Sequence, residues 1–297
     1  MTVLELIERA SARLDQAGVS FGQGTTNAFD EAAWLVLWRL NVPLDALDDV
    51  AERALDEPTV ASVDALIARR IESRRPAAYL TGEAWLQGVP FTIDERSIVP
   101  RSLIAEVLAD GTLDAWLHGP PARVLDLCTG NGSLAVLCAL RWPAASVDGS
   151  DIAADALNLA RLNVERHDLT DRVTLHAGDG FAALRDRYDL IVCNPPYVNA
   201  TSMAALPPEF QCEPALALAG GDDGMDLVRR VLRDAAAHLQ PHGLLVLEIG
   251  HERAHFEHAF RRLEVAWLET SAGDNQVVLV TRPALVAQQR RSATAKR

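Results

Sequence analysis

The tetrapeptide Asn194-Pro195-Pro196-Tyr197 closes an apolar run, YDLIVCN, with an amide, two rigid rings and an aromatic side chain. Proline cannot continue a strand ladder and restricts the residue before it, so a simple strand stop is one reading. The residue types also suit chemistry. The side-chain oxygen of Asn194 can accept one hydrogen of a planar NH2 group, and a backbone carbonyl fixed by Pro195 and Pro196 can accept the other. Tyr197 can stack on the flat group so held. Such a clamp aims a weak nitrogen nucleophile at an electrophile, which is catalysis by positioning. Two acceptors drawing on the hydrogens of an amide free its lone pair, and the proton leaves after attack. No Ser/His/Asp or Cys/His arrangement competes with this site.

An electrophile needs its own holder, and Val124 to Ser133 offers one: an apolar strand containing Asp126 runs directly into Cys128-Thr129-Gly130-Asn131-Gly132 and then a helix. Glycines in such a turn let the backbone bend tightly and approach a ligand. The spacing of a dinucleotide fingerprint is absent, because Leu134 and Ala135 follow Ser133. Asp151 ends the next strand, where a carboxylate can accept from both hydroxyls of a ribose. Asp179 ends the third, and Phe181 beside it is a candidate cover for an adenine. Three acids at successive strand ends point to a nucleoside-type ligand.

These loops must be carried by a framework. From Arg123 onward, short apolar runs (RVLDLC, SVDGSD, VTLHAG, YDLIVCN, GLLVLEIG) alternate with helical stretches over 133–141, 153–166 and 223–239. That alternation predicts an α/β fold, a doubly wound and mostly parallel Rossmann-like sheet with its ligand site at the carboxyl ends of the strands. VAWLET and QVVLVT read as a closing antiparallel pair. Residues 1–75 read instead as a small helical domain for substrate recognition. Val3, Leu6, Ile7, Ala10 and Leu14 share a stripe, EAAWLVLWRL is apolar nearly all round, and a third helix follows Pro58. Trp34 and Trp38, one turn apart, read as core. Residues 76–118 read as a β-hairpin connector and a helix, and 119–283 as the catalytic domain. Residues 284–297 carry four basic residues and no acid, and are expected to be a disordered tail.

Composition limits what such a framework can serve. The chain of 297 residues holds 41 acidic and 28 basic side chains, a net charge of -13, which disfavours a nucleic-acid substrate. No apolar run is long enough for a membrane helix and no signal-peptide core opens the chain, so a cytoplasmic protein away from membranes is expected. Cys128, Cys138, Cys193 and Cys212 stand singly and read as reduced thiols. His251, His255 and His258 share a helix face without neighbouring Cys or Asp ligands, so no metal centre is expected.

The strand, Gly-x-Gly loop and helix, the acid at Asp151 and the tetrapeptide together resemble class I S-adenosylmethionine-dependent methyltransferases that act on planar amino groups. N6-adenine DNA methyltransferases and protein-glutamine N5-methyltransferases share the tetrapeptide. The helical N-terminal stretch, AYLTGEAW and VPRSLIAEVL resemble the glutamine enzymes, which modify either peptide release factors or a large-subunit ribosomal protein. FGQGTTNAFDEA, DERSIVPRS, DLCTGNG and LPPEFQCEPALALAGGDDGMDLVRR resemble the branch acting on the third large-subunit ribosomal protein. In the release-factor branch a glycine stands where this chain has Cys128, and Pro-Arg-Pro-Glu where it has Pro100-Arg101-Ser102-Leu103.

The resemblance implies S-adenosylmethionine as cofactor. It would be held by the loop from Cys128 to Gly132 with Asp126 beneath it, by Asp151 and Asp179, and by Asn194. Catalysis would fall to Asn194, Pro195, Pro196 and Tyr197. Asn194, Tyr197 and Arg101 would meet the substrate, Arg101 either by contacting its backbone or merely by pairing with a local acid. Two departures stand out: Gly180 replaces a Trp that release-factor enzymes place near the adenine, and Leu103 replaces a proline common in the ribosomal branch. The expected partner is the third large-subunit ribosomal protein, a basic protein that the acidic surface would attract. Release factors, N6-adenine in DNA, and a non-catalytic ribosome assembly role are the alternatives.

Overall fold

The computed structural model describes residues 1–294. Thr2 opens the first helix, α1 (Val3–Gln16), in a capping box with Glu5, so orphan amides are satisfied before the apolar stripe begins. Val3, Leu6, Ile7, Ala10 and Leu14 are all buried. Asn27 caps α2 (Ala28–Arg39) by accepting from the Asp30 amide. Trp34 turns inward on α2, whereas Trp38 stays 39% exposed, so only the first of the two tryptophans is core. A single turn, α3 (Leu47–Val50), leads to α4 (Glu57–Ser73), capped by Asp56 with Pro58 in its first turn. Val63, Leu66 and Ile67 of α4 complete the core shared with α1 and α2.

A hairpin alone was expected next, but α5 (Ala77–Thr81) comes first. Ala77, Ala78, Tyr79 and Leu80 are buried in succession, which a strand with one wet face cannot do. The hairpin is β1 (Glu83–Leu86) and β2 (Val89–Thr92), turning at Gln87 and Gly88 with φ of 50° and 74°, as a two-residue primed turn requires. The N-terminal core runs on through Ala77, Ile93 and Val99 to Leu159, so packing has no seam at residue 75. A short helix, α6 (Ile104–Ala109), precedes the sheet.

The sheet is then built in alternation: β3 (Arg123–Leu127), α7 (Ser133–Arg141), β4 (Ser146–Asp151), α8 (Ala154–Arg166), β5 (Val173–Ala177) and β6 (Tyr188–Cys193). Two short helices, α9 (Ala200–Ala204) and α10 (Pro208–Gln211), interrupt the pattern before α11 (Asp226–His238) and β7 (Leu239–Glu248). Helix α12 (Arg253–Ala259) leads to β8 (Ala266–Thr270) and β9 (Gly273–Thr281), which pair antiparallel. The seven strands lie in the order β5-β4-β3-β6-β7-β9-β8, parallel from β5 to β7. This is the doubly wound sheet that the strand and helix alternation predicts. Strand order reverses between β3 and β6, where Leu127 lies opposite Cys193, so residues 128 and 194 leave the sheet side by side.

The expectation of a disordered tail over 284–297 is corrected by helix α13 (Arg282–Thr294); residues 295–297 lie outside the described residues. Leu285 is fully buried against the sheet, Arg282 Nε donates to Ala236 O at 3.0 Å, and Gln289 Nε2 donates to Arg233 O at 2.8 Å. Leu285, with Ala284 and Val286 packed beside it, and two bonds to a neighbouring helix hold a segment whose composition alone reads as solvated. No helix among the described residues is long and apolar enough to cross a membrane.

Candidate active site

At the switch point the loop after β3 is fixed from below and from beside. Cys128 sits at φ 65°, a left-handed conformation that costs a non-glycine residue about 1 kcal/mol. The Cys128 and Thr129 amides both donate to Ser150 O, at 2.8 and 3.0 Å, and hold the turn in that form. Asp126 is fully buried under the loop, where it accepts from Thr129 Oγ1 at 2.6 Å and from the Ala135 amide at 2.9 Å. It thereby caps α7, whose own N-cap residue, Gly132, has no side chain to offer. Burial pushes the Asp126 carboxyl up to about 7. The Asn131 carbonyl accepts from Asn163 Nδ2 at 2.9 Å. Asp126, Thr129, Asn131 and Gly132 therefore shape the loop, while Cys128, Gly130 and Asp151 line the cleft it borders.

That cleft has a volume of about 300 Å3. Asp151 is held in it by two amides, Gly130 N and Ala153 N, each at 2.9 Å, which leaves both carboxylate oxygens able to accept further hydroxyls. Asp179 stands on the rim and pairs with Arg230 at 2.6 Å. Phe181 does not cover the cleft: its ring is buried beneath α11 and stacks on His238 with centroids 4.6 Å apart. A large ring just past a strand end loses more surface to water by packing into the core than by edging an open cleft. Ile152 and Leu216, 55% and 60% exposed, together with Leu227, supply the apolar lining instead. A carboxylate on two amides, a glycine backbone and exposed apolar side chains fit a nucleoside-type ligand.

Beside this loop, Asn194 and Pro196 line the same cleft, Pro195 is buried, and the Asn194 amide has no hydrogen-bond partner among the described residues. Tyr197 is anchored from afar. Its hydroxyl donates to Glu248 Oε1 at 3.0 Å, and Glu248 also accepts from Ser102 Oγ at 2.6 Å and the Leu103 amide at 2.9 Å. Leu103 thus supplies an amide that a proline there would lack. Burial, and then the Glu248 carboxylate, push the Tyr197 phenol well above its usual range, so it stays a donor. Two glycines close the box. A Cβ at Gly224 would lie 2.2 Å from Tyr197 O, and one at Gly250 would lie 2.4 Å from Tyr197 Cε2. The GGDDG segment is thus a backing plate for the clamp.

Arg101 pairs bidentately with the buried Glu213, at 2.6 and 2.7 Å, and donates to Val99 O. Of its two expected roles, pairing with a local acid is the one the structure displays. The pair ties 99–101 to 213, beside Ile98 and Pro214 in the cleft wall. Glu248 escaped the sequence reading, and Glu213 entered it only within a loop after the clamp, as lid or connector, not as the partner of Arg101. For Glu248 a signal existed, since GLLVLEIG ends a buried apolar strand on a polar residue, as YDLIVCN does.

The chain is 52% identical to the ribosomal protein uL3 glutamine methyltransferase of Bordetella pertussis, over 96% of each chain. It is 50% identical to that of Burkholderia pseudomallei, over 94% of each. It belongs to this family of methyltransferases. Residues 107–210 also match the family described as methyltransferase small domain, a stretch that contains both loops. Among solved structures, the hMettl16 catalytic domain in complex with MAT2A 3'UTR hairpin 6 superposes with a TM-score of 0.50 at 16% identity, covering 75% of this chain and 81% of that one. That likeness concerns the fold alone.

Proposed function

We propose that this chain transfers a methyl group from S-adenosylmethionine to the side-chain amide nitrogen of a glutamine in ribosomal protein uL3, in the cytoplasm. The observation that carries the reading is the unpartnered Asn194 amide, held at the end of β6 in the cleft that Asp151 and Gly130 also line. Asp151, Gly130 and Cys128 would hold the cofactor, with Ile152, Leu216 and Leu227 against its base. When bound, S-adenosylmethionine would supply a methyl carbon made electrophilic by its sulfonium, whose sulfur can take the electron pair of the C–S bond. Asn194 Oδ1 accepts one hydrogen of the glutamine NH2 and the Pro195 carbonyl the other, which frees the nitrogen lone pair for attack. Tyr197, boxed by Gly224, Gly250 and Glu248, keeps the clamp backbone in place. The amide proton passes to solvent after transfer, so no strong base is required.

The test is methyl transfer with purified components. Incubated with S-adenosylmethionine, uL3 gains the mass of one CH2 at a glutamine, release factors and duplex DNA gain none, and Asn194→Ala abolishes the gain while retaining cofactor binding. A gain on a release factor but not on uL3 would reassign the substrate. Normal turnover by Asn194→Ala would dismiss the clamp.

A further inference from the structure

A second cavity, of about 300 Å3, lies between α2 and the hairpin, away from the catalytic cleft. Its floor is Trp34 and Leu37, and its rim carries Phe29, Leu44 and Trp85, which are 39%, 40% and 43% exposed. Three large apolar side chains left this open around one groove is more than scattered surface hydrophobicity. One acid lines the groove and three more adjoin its lining residues. Asp30 lines it, Asp45 adjoins Leu44, and Asp48 and Asp49 follow Leu47 of its wall; all four are exposed and none pairs with a basic side chain among the described residues. An apolar trough with an unneutralised acidic rim is complementary to a chain segment bearing large apolar side chains among Arg or Lys.

The groove is mechanically joined to the catalytic cleft. Gly24 and Thr25 form part of its wall, and in the same loop the Gly22 backbone lies against the Phe210 ring while Gln23 Nε2 donates to Glu209 O at 3.4 Å. Phe210 sits under the Arg101 guanidinium, 5.5 Å from it, and Arg101 holds Glu213, next to Pro214 in the wall of the cleft. One run of contacts thus links the wall of the groove to the wall of the cleft.

We propose that this groove docks a cationic, apolar segment of the protein substrate remote from its reacting glutamine, and so sets affinity for the whole protein. The proposal rests on uL3 as the substrate. Its test compares intact uL3 with a short synthetic peptide carrying only the modified glutamine and its immediate neighbours, the position being located first by mass spectrometry. The variants are Trp85→Ala, which truncates an exposed side chain, and the triple reversal Asp45→Lys with Asp48→Lys and Asp49→Lys. Each raises KM for intact uL3 about tenfold, as loss of an interface anchor does, with kcat unchanged. Neither alters kcat/KM for the short peptide. Unchanged KM for intact uL3 overturns the proposal, as does equal loss on both substrates, which marks a distorted cleft. Variants that change only self-association in sedimentation assign the groove to a second copy and also overturn it. Failure of the unaltered chain to methylate uL3 refutes the substrate itself, a result distinct from any variant effect, and removes this occupant with it.

Discussion

The loop after β3 is held by its own strand and the elements that follow directly: Asp126 from that strand, Ser150 and Asp151 from the next, the first turn of α7, and Asn163 of α8. The loop after β6 leaves the sheet beside it but is held from far along the chain, by Glu248, Gly250, the Gly220 to Gly224 turn and, through Glu248, by Ser102 and Leu103. The difference matches what each loop is proposed to do. A cofactor cradle needs backbone shape, which a strand, a turn and a helix N-terminus define among themselves. A clamp for a side chain arriving on another protein needs its two acceptors aimed into shared space, and only packing against other elements fixes that aim. Disturbing the first loop should therefore cost stability and cofactor affinity, and disturbing the second should cost turnover.

The sharpest break of that contrast is Gly224→Ala, whose Cβ collides with the Tyr197 carbonyl. Displacing the clamp backbone by a fraction of an ångström lowers kcat about 100-fold while cofactor affinity, read by calorimetry, stays within about twofold. On the other loop, Asp126→Ala leaves the Thr129 hydroxyl and the Ala135 amide buried without an acceptor and lowers unfolding free energy by about 2 kcal/mol in denaturant titrations. The same residue makes stability depend on pH. Its carboxyl titrates at about 7 when folded against an ordinary 3.8, so the unfolded chain releases that proton first. Its contribution therefore falls as pH rises from 3.8 to about 7 and stays low above, and Asp126→Asn flattens that fall. Tyr197→Phe removes one of three donors to Glu248 and loosens the clamp without a clash, lowering kcat about tenfold. Smallest is Cys128→Gly: relief of the left-handed strain and loss of the side chain oppose one another, so the melting temperature moves by only a few degrees and turnover is kept.

How far the sequence led follows the same division. Alternating apolar runs and helices gave the parallel sheet, and the Gly-x-Gly turn with Asp151 gave two walls of one cleft, because both depend on residues close in sequence. Phe181 was misplaced because nothing local tells whether a ring past a strand end faces the cleft or α11. Arg101 was left between two roles because its partner, Glu213, lies on a distant segment brought over by the fold. The tail from 284 reads as loose because its buried anchor, Leu285, with Ala284 and Val286 beside it, finds a core only when the sheet is assembled.

By itself the sequence determined the chemistry on offer: an amide and two prolines at a strand end, acids after successive strands, and a net charge of -13. It also determined most of the elements, since capping residues, apolar period and turn glycines act within a few positions, but not α5 or α13. Only the tertiary structure decided which polar groups meet. It stands Cys128 beside Asn194 at the strand-order reversal, closes the clamp with a glutamate from β7, and lays the hairpin against α2 to open an acid-rimmed groove. Hydrogen bonds and apolar contacts act over a few ångströms, so pairs distant in sequence acquire meaning only when the chain has brought them together.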